Sequence, residues 1–249
     1  MASTTVDNHS QWHGSALGQQ LVRSGADSIQ RLLPSQYYRV ALQVAGPPDA
    51  GYLDNVESDV HFRIDDASQP IGNGVDVVAE AQWLPFGSNS IDLLLLPHVL
   101  EFARDPHNVL REISQCVAPE GIVVIAGFNP HSMLGVSKNL LGLRNSILRD
   151  TRLYSVLRVR DWMSLLGFDS VAGEFVFFRP PVEQESRLDR LKRFETVGSR
   201  WWPGLGSVYV LVFRKKELGI RMNGNLFSRA LRKKRRILSP VAERCRPSD

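Results

Sequence analysis

Few side chains in this chain stand where their chemistry and their neighbours both suggest work. His98 follows the apolar run Ile91-Asp92-Leu93-Leu94-Leu95-Leu96-Pro97. A neutral imidazole there could take a proton from an attacking hydroxyl or amine. The same His could also do no more than cap the next helix. Phe128, Asn129 and His131 follow a second apolar run, Ile122 to Ala126. Asn129 could orient a planar amine beside Phe128, or Asn129-Pro130 could be a plain turn. The six histidines show no HxH or HxxxH, apart from His9 and His13 in a polar stretch, and no CxxC exists. No metal site is expected. There is no GxSxG, so no nucleophile elbow is expected either.

The elements that must position these residues follow from turn chemistry and periodicity. Pro85, Gly87, Ser88, Asn89 and Ser90 form a turn before Ile91–Leu96. An all-apolar run bounded in this way predicts a strand buried on both faces, the parallel-sheet type. Asp105 with Pro106 predicts an N-capped helix over Asp105–Val117, its apolar face being Val109, Leu110, Ile113 and Val117. Pro119-Glu120-Gly121 reads as the following turn and Ile122–Ala126 as the next strand. Strand, helix, strand at this spacing is a βαβ unit.

Upstream, Trp12–Leu33 is expected to be a helix, with strands over Tyr38–Ala45, Val60–Ile64 and Val75–Ala79. The connections 47–59 and 66–74 are too short for full crossover helices. Downstream, Ser132–Arg149 reads as a helix or a lid, and Val159–Leu166 as a helix closed by Gly167. Val171–Phe178 and Val208–Phe213 are expected strands, forming an antiparallel closing pair around a helical insertion over Glu183–Glu195. Trp201-Trp202 is expected to pack in the core or at the sheet edge.

Length and composition suit one large domain: 249 residues, of which 43% are hydrophobic. Residues 1–10 are expected to be disordered, 11–216 to form the domain, and 217–249 to be a basic tail. Two cysteines, Cys116 and Cys245, make no disulfide framework. No signal core and no run of membrane-spanning length is present, so a cytoplasmic protein is expected. From Arg214 onward there are twelve Lys and Arg against three acids, while the preceding residues are net acidic. The stretch Arg229–Arg236 is the densest part and could attract nucleic-acid phosphate or acidic lipid heads. It could equally be a solubilising tail.

The run Glu80–Asn129 resembles the type-11 group of class I methyltransferases that use S-adenosylmethionine (SAM). The resemblance rests on Glu80-Ala81-Gln82-Trp83-Leu84-Pro85-Phe86, Ser90-Ile91-Asp92, Pro97-His98-Val99-Leu100-Glu101-Phe102, Asp105-Pro106-His107, Leu110-Arg111-Glu112-Ile113 and Pro119-Glu120-Gly121. With Gly127-Phe128-Asn129-Pro130, Gly135 and Lys138 it is similar to a small uncharacterised proteobacterial branch of that group.

The resemblance implies an α/β Rossmann-like sandwich, a mostly parallel sheet with an antiparallel C-terminal strand pair. It implies SAM as cofactor and a methyl acceptor that is a small molecule or nucleic acid. It places Glu80, Ala81 and Gln82 beside the adenine and Pro97 and His98 beside the methionine part. It makes Asp65 the ribose ligand, 19 residues after Gly46, and Gly46 part of the glycine loop. The loop departs from the family pattern. Gln43 stands where the family has an acid, and only Gly46 and Gly51 remain of the glycines. Pro47 and Pro48 lack N–H donors. Two other functions compete with a methyltransferase. One is a non-catalytic nucleic-acid-binding module on a degenerate scaffold of this kind. The other is a nicotinamide dehydrogenase, disfavoured because that loop lacks its glycines.

Overall fold

The structure is a computed structural model and describes residues 16–47, 50–65, 74–132, 134–136, 151–178 and 205–217. The expected helix over Glu183–Glu195, the Trp201-Trp202 pair, most of the expected lid and the basic tail lie outside the described residues. So do residues 1–15.

Seven strands form one sheet: β1 (Tyr38–Val44), β2 (Ser58–Asp65), β3 (Val77–Val78), β4 (Ile91–Pro97), β5 (Val117–Phe128), β6 (Phe168–Val176) and β7 (Val208–Lys215). Their order is β3-β2-β1-β4-β5-β7-β6. β3, β2, β1, β4 and β5 pair in parallel, and β7 runs antiparallel to both β5 and β6. Three helices are described: α1 (Ala16–Leu32), α2 (Pro106–Cys116) and α3 (Val156–Leu165). This is the α/β architecture expected from the sequence.

Strand β4 is the middle strand of the sheet. Leu93 and Leu95 enter one core with α1, Tyr52 and Leu53. Leu94 and Leu96 enter the other core with α2 and α3. The two-residue alternation of a strand makes that division. All four leucines are buried, each stabilising by about 2 kcal/mol against exposure. Asp92 interrupts the run because its carboxylate accepts from the Arg39 and Val40 backbone N–H groups at 3.0 and 3.1 Å. It thus closes the lower end of the β1–β4 seam.

Helix α2 starts as expected: Asp105 accepts from the His107 and Asn108 N–H groups, with Pro106 in the first turn. Its far end is closed from outside. Asn89 and Ser90 donate backbone N–H to the Gln115 and Cys116 carbonyls. The Lys215 ammonium donates to the Ser114 and Val117 carbonyls at 2.7 and 2.6 Å and to the Asn89 side chain at 3.0 Å. Carbonyls that a helix end leaves without partners are thereby satisfied.

Several boundaries differ from the sequence reading. β5 begins at Val117, and Pro119-Glu120-Gly121 is a bulge within it: Ile91 pairs Val117, and Leu93 already pairs Ile122. Glu120 takes a positive φ of 63° there. β3 shrinks to two residues. α3 starts earlier, because the Ser155 hydroxyl caps the Arg158 N–H, and β6 starts at Phe168 directly after Gly167. Between β1 and β2 the described residues 50–57 form turns, with 3-10 geometry at Ala50 and no α-helix.

Candidate cofactor and active site

In open α/β sheets ligands bind beyond the carboxyl ends of the strands, where the strand order reverses. Here that point lies between β1 and β4. The chain leaves β1 through Ala45 (φ 59°) and Gly46 (φ 86°), both left-handed. Gly46 meets the tip of β4. A Cβ at position 46 would lie 2.8 Å from Pro97 Cγ and 3.2 Å from Tyr52 Cε2. Glycine is required there twice over, by backbone conformation and by space.

Gln43, where the resemblance leads one to look for an acid, is buried beneath this turn. Its Nε2 donates to the Ala45 carbonyl at 3.0 Å. Its Oε1 is buried and has no hydrogen-bond partner among the described residues. An acceptor left in that condition is unfavourable by about 1–3 kcal/mol unless a ligand reaches it. Tyr52 packs on the same turn, and burial raises its phenol pKa well above the ordinary value.

Asp65 is half-buried at the end of β2, and its carbonyl accepts from Ala79 N–H. Glu80 is exposed just beyond β3; its carboxylate accepts from the Gln82 amide. Ala81 packs against the core that α2 covers. Asp65 and Glu80–Gln82 therefore lie at the same end of the sheet as Gly46 and Pro97.

The densest chemistry lies beyond β4 and β5. His98 is buried, has a φ of 57°, and stacks on Phe128 with ring centroids 4.1 Å apart. Its Nδ1 is 3.7 Å from Glu101 Oε1, three residues ahead. That carboxylate is also buried: Oε1 accepts the Phe128 N–H at 2.6 Å, and Oε2 has no hydrogen-bond partner among the described residues. Gly127 makes the space, since a Cβ there would lie 2.5 Å from Tyr209 Cζ and 2.9 Å from Glu101 Oε1. Burial, then the Glu101 and Tyr154 charges, pushes the Tyr209 phenol far up, so it stays neutral.

Asn129 occupies a different kind of place. Its Nδ2 donates to the Gly206 carbonyl at 3.0 Å and its Oδ1 accepts the His131 N–H at 3.0 Å. Its amide thus ties the end of β5 to the segment entering β7. Ser132 extends the turn, its hydroxyl donating to the Asn129 carbonyl.

Glu101 and Tyr209 receive no role from sequence reasoning. For Glu101 a signal exists in its spacing, three residues after His98. For Tyr209 there is none, because only the register that sets it opposite Gly127 brings it here.

Known proteins with this arrangement decide the fold. A SAM-dependent methyltransferase from Thermotoga maritima superposes with a TM-score of 0.63 at 16% identity, over 85% of this chain and 96% of that one. A chain from the Haloferax volcanii complex that contains the Trm112 methyltransferase activator superposes at 0.65 and 17%, over 87% and 99%. This is the fold of the class I SAM-dependent methyltransferases. In sequence, residues 56–125 match the model of the type-11 methyltransferase domain. YafS of Escherichia coli K12, an uncharacterised protein, is 32% identical over 61% of this chain and 60% of its own length. The uncharacterised MJ1123 of Methanocaldococcus jannaschii is 24% identical over 41% of this chain and half of its own length. The match thus spans about half to three fifths of these curated relatives. Sequence and fold thus agree on a methyltransferase domain over residues 56–125. No described helix is long and apolar enough to cross a membrane.

Proposed function

We propose that this protein transfers a methyl group from SAM to an acceptor whose nucleophilic atom must first lose a proton. One observation carries the proposal: the tip of β1 meets the tip of β4 at a glycine with no room for a side chain, above a buried amide oxygen without a partner. These residues fit the methionine end of the cofactor. Gly46 lets backbone approach closely, and Gln43 Oε1 offers an acceptor to its ammonium. Asp65 would accept from the ribose hydroxyls, Glu80 to Gln82 would line the adenine, and Pro97 and His98 would face the sulfonium side. When bound, SAM supplies an electrophilic methyl group. The chain's own contribution is then position and proton handling.

His98 would receive the acceptor's proton. Glu101 stands close enough to stabilise the imidazolium that results, and its own position is held by the Phe128 N–H. Asn129 is committed to backbone, so its role is to hold the end of β5 in place.

Residues 11–216 would form the catalytic domain, working in the cytoplasm, with 217–249 as a basic tail. Isothermal calorimetry with S-adenosylhomocysteine tests this reading. Binding that weakens sharply in Gly46→Ala supports it, and no heat at millimolar ligand refutes it.

A second reading is a nucleic-acid-binding module on a scaffold that no longer uses SAM. The charge of the tail favours it, twelve bases against three acids from Arg214 onward. Filter binding of RNA across a salt series separates the two. Tight RNA binding that is lost on deleting 229–249, without cofactor binding, selects the module. The activator in the Haloferax volcanii complex raises the further option of a protein partner here.

A further inference from the structure

We propose that the methyl acceptor is an amine, which enters as its ammonium ion, docks on the Glu101 carboxylate and gives its proton to His98. The proposal rests on the methyltransferase reading above and adds to it the chemical class of the acceptor. Three observations lead there.

First, Glu101 is a buried acid without a counter-ion. It is 2% exposed. Among the described residues no Lys or Arg pairs with it. Its Oε1 accepts from one neutral donor, the Phe128 N–H at 2.6 Å, and its Oε2 accepts from none of the described residues. His98 Nδ1, at 3.7 Å from Oε1, stands beyond hydrogen-bond distance. A carboxylate can accept about four hydrogen bonds, and a buried one is unfavourable until its charge and its lone pairs are met. Holding the Phe128 N–H needs only a neutral acceptor, so a charge is more than that task requires.

Second, the acid stands where an acceptor must arrive. Pro97 and Ala126 are register partners at the ends of β4 and β5. His98 follows Pro97, and Phe128 stands two residues past Ala126. Glu101, bonded to Phe128 and close to His98, therefore lies at these two strand ends. Gly46 meets Pro97 on the same side of the sheet, where ligands of open α/β sheets bind.

Third, the surroundings select an amine. The His98 ring stacks on Phe128 with centroids 4.1 Å apart. Tyr209 is fully buried opposite Gly127, whose missing side chain leaves room for Glu101. Aromatic faces attract cations, and a carboxylate without a counter-ion repels carboxylate and phosphate groups. An alcohol would give Oε2 a hydrogen bond but no charge. An ammonium ion gives both.

One ammonium N–H donates to Glu101 Oε2, and another gives its proton to the His98 imidazole. The nitrogen's freed lone pair forms the new N–C bond with the methyl group as the S–C bond breaks, and that bond's electron pair stays on sulfur. The product leaves as an N-methylammonium ion. The imidazolium left behind faces Glu101 until water takes its proton.

The test is calorimetry on the full chain saturated with S-adenosylhomocysteine, titrated with benzylamine, cyclohexylamine, benzyl alcohol and benzoate. The two amines should bind about tenfold or more tightly than benzyl alcohol, and benzoate should not bind. Glu101→Gln keeps an acceptor for the Phe128 N–H and loses the charge. It should bind S-adenosylhomocysteine as the wild type does and lose amine affinity by about 10- to 100-fold. The comparison of ligands on the wild type does not depend on that variant. With SAM, the wild type should turn a bound amine into its N-methyl product, and Glu101→Gln should raise KM for the amine. Amines that fail to bind the S-adenosylhomocysteine complex overturn the proposal and leave the methyltransferase reading standing. So does benzoate binding as tightly as benzylamine, or an amine affinity that Glu101→Gln leaves unchanged. A chain that does not bind S-adenosylhomocysteine overturns both.

Discussion

Gly46→Ala is the substitution whose effect the structure specifies most closely. Position 46 has a φ of 86°, where an L side chain is strained by about 1–2 kcal/mol. The new methyl would also lie 2.8 Å from Pro97 Cγ and 3.2 Å from Tyr52 Cε2. Neither neighbour can give way easily: Pro97 is the last residue of a central strand, and Tyr52 is fully buried. Forcing a methyl into such a contact is destabilising by about 1–3 kcal/mol. Together the loss is about 2–5 kcal/mol, or about 4–20 °C in Tm for a domain of this size. Gly25→Ala is the control. Gly25 is inside α1, and a Cβ there meets nothing within 4 Å. That change should stabilise by up to about 1 kcal/mol. Urea unfolding followed by tryptophan fluorescence measures both. If Gly46→Ala unfolds at the wild-type urea concentration, or shifts in the same direction as Gly25→Ala, the account of the β1 turn is wrong.

Other perturbations follow from the same geometry. Gly127→Ala should lose at least as much stability as Gly46→Ala, because its Cβ would enter the space of Tyr209 Cζ at 2.5 Å and Glu101 Oε1 at 2.9 Å; thermal unfolding measures it. Glu101→Leu leaves the buried Phe128 N–H without its acceptor and should lose about 1–3 kcal/mol in urea, while Glu101→Gln keeps an acceptor and should lose less; equal losses would remove Glu101 from its holding role. Lys215→Met strips three hydrogen bonds from the end of α2 and its adjoining turn, so hydrogen exchange at the Asn89 and Ser90 amides should quicken before that at β4. Stability should fall as pH rises past 10. Burial, as the largest cause, raises Tyr38 to about 12 and Tyr52 and Tyr209 higher, so the unfolded chain loses these protons first. Their contribution is fully present below pH 10 and declines by about 1.4 kcal/mol per pH unit for each phenol that the fold keeps protonated. Absorbance at 295 nm should rise with a cooperative unfolding step, and three phenols ionising gradually at pH 10 would contradict their burial.

Local chemistry made much of this molecule legible in advance. The turn before Ile91 and the all-apolar run after it announce a strand buried on both faces. Asp105-Pro106 announces the start of α2. Both depend on neighbours in sequence, so the sequence alone determined them. The same holds for the connection between β1 and β2, too short for a full crossover helix, whose described residues hold no α-helix. Boundaries were harder where long-range pairing decided them. β5 absorbs Pro119-Glu120-Gly121 as a bulge because Val117 already pairs with Ile91, a partner 26 positions earlier in the chain.

The site divides along the same line. Gly46, Pro97 and His98 could be named as candidates from motif and position, since Gly46 follows β1, Pro97 ends β4 and His98 follows it. That Gly46 touches Pro97, that Gln43 keeps a buried oxygen without a partner, and that Glu101 and Tyr209 close around Gly127 could not. Those facts arise from register between segments far apart in the chain, which no local pattern encodes. Asn129 shows the converse: its residue type invited a chemical role, and the return of the chain at Gly206 engaged its amide instead. The sequence by itself determined which segments become strands and where the sheet turns. Only the packed sheet decided which polar groups meet, because side-chain partners depend on strand order and register, both set by burial of the whole core.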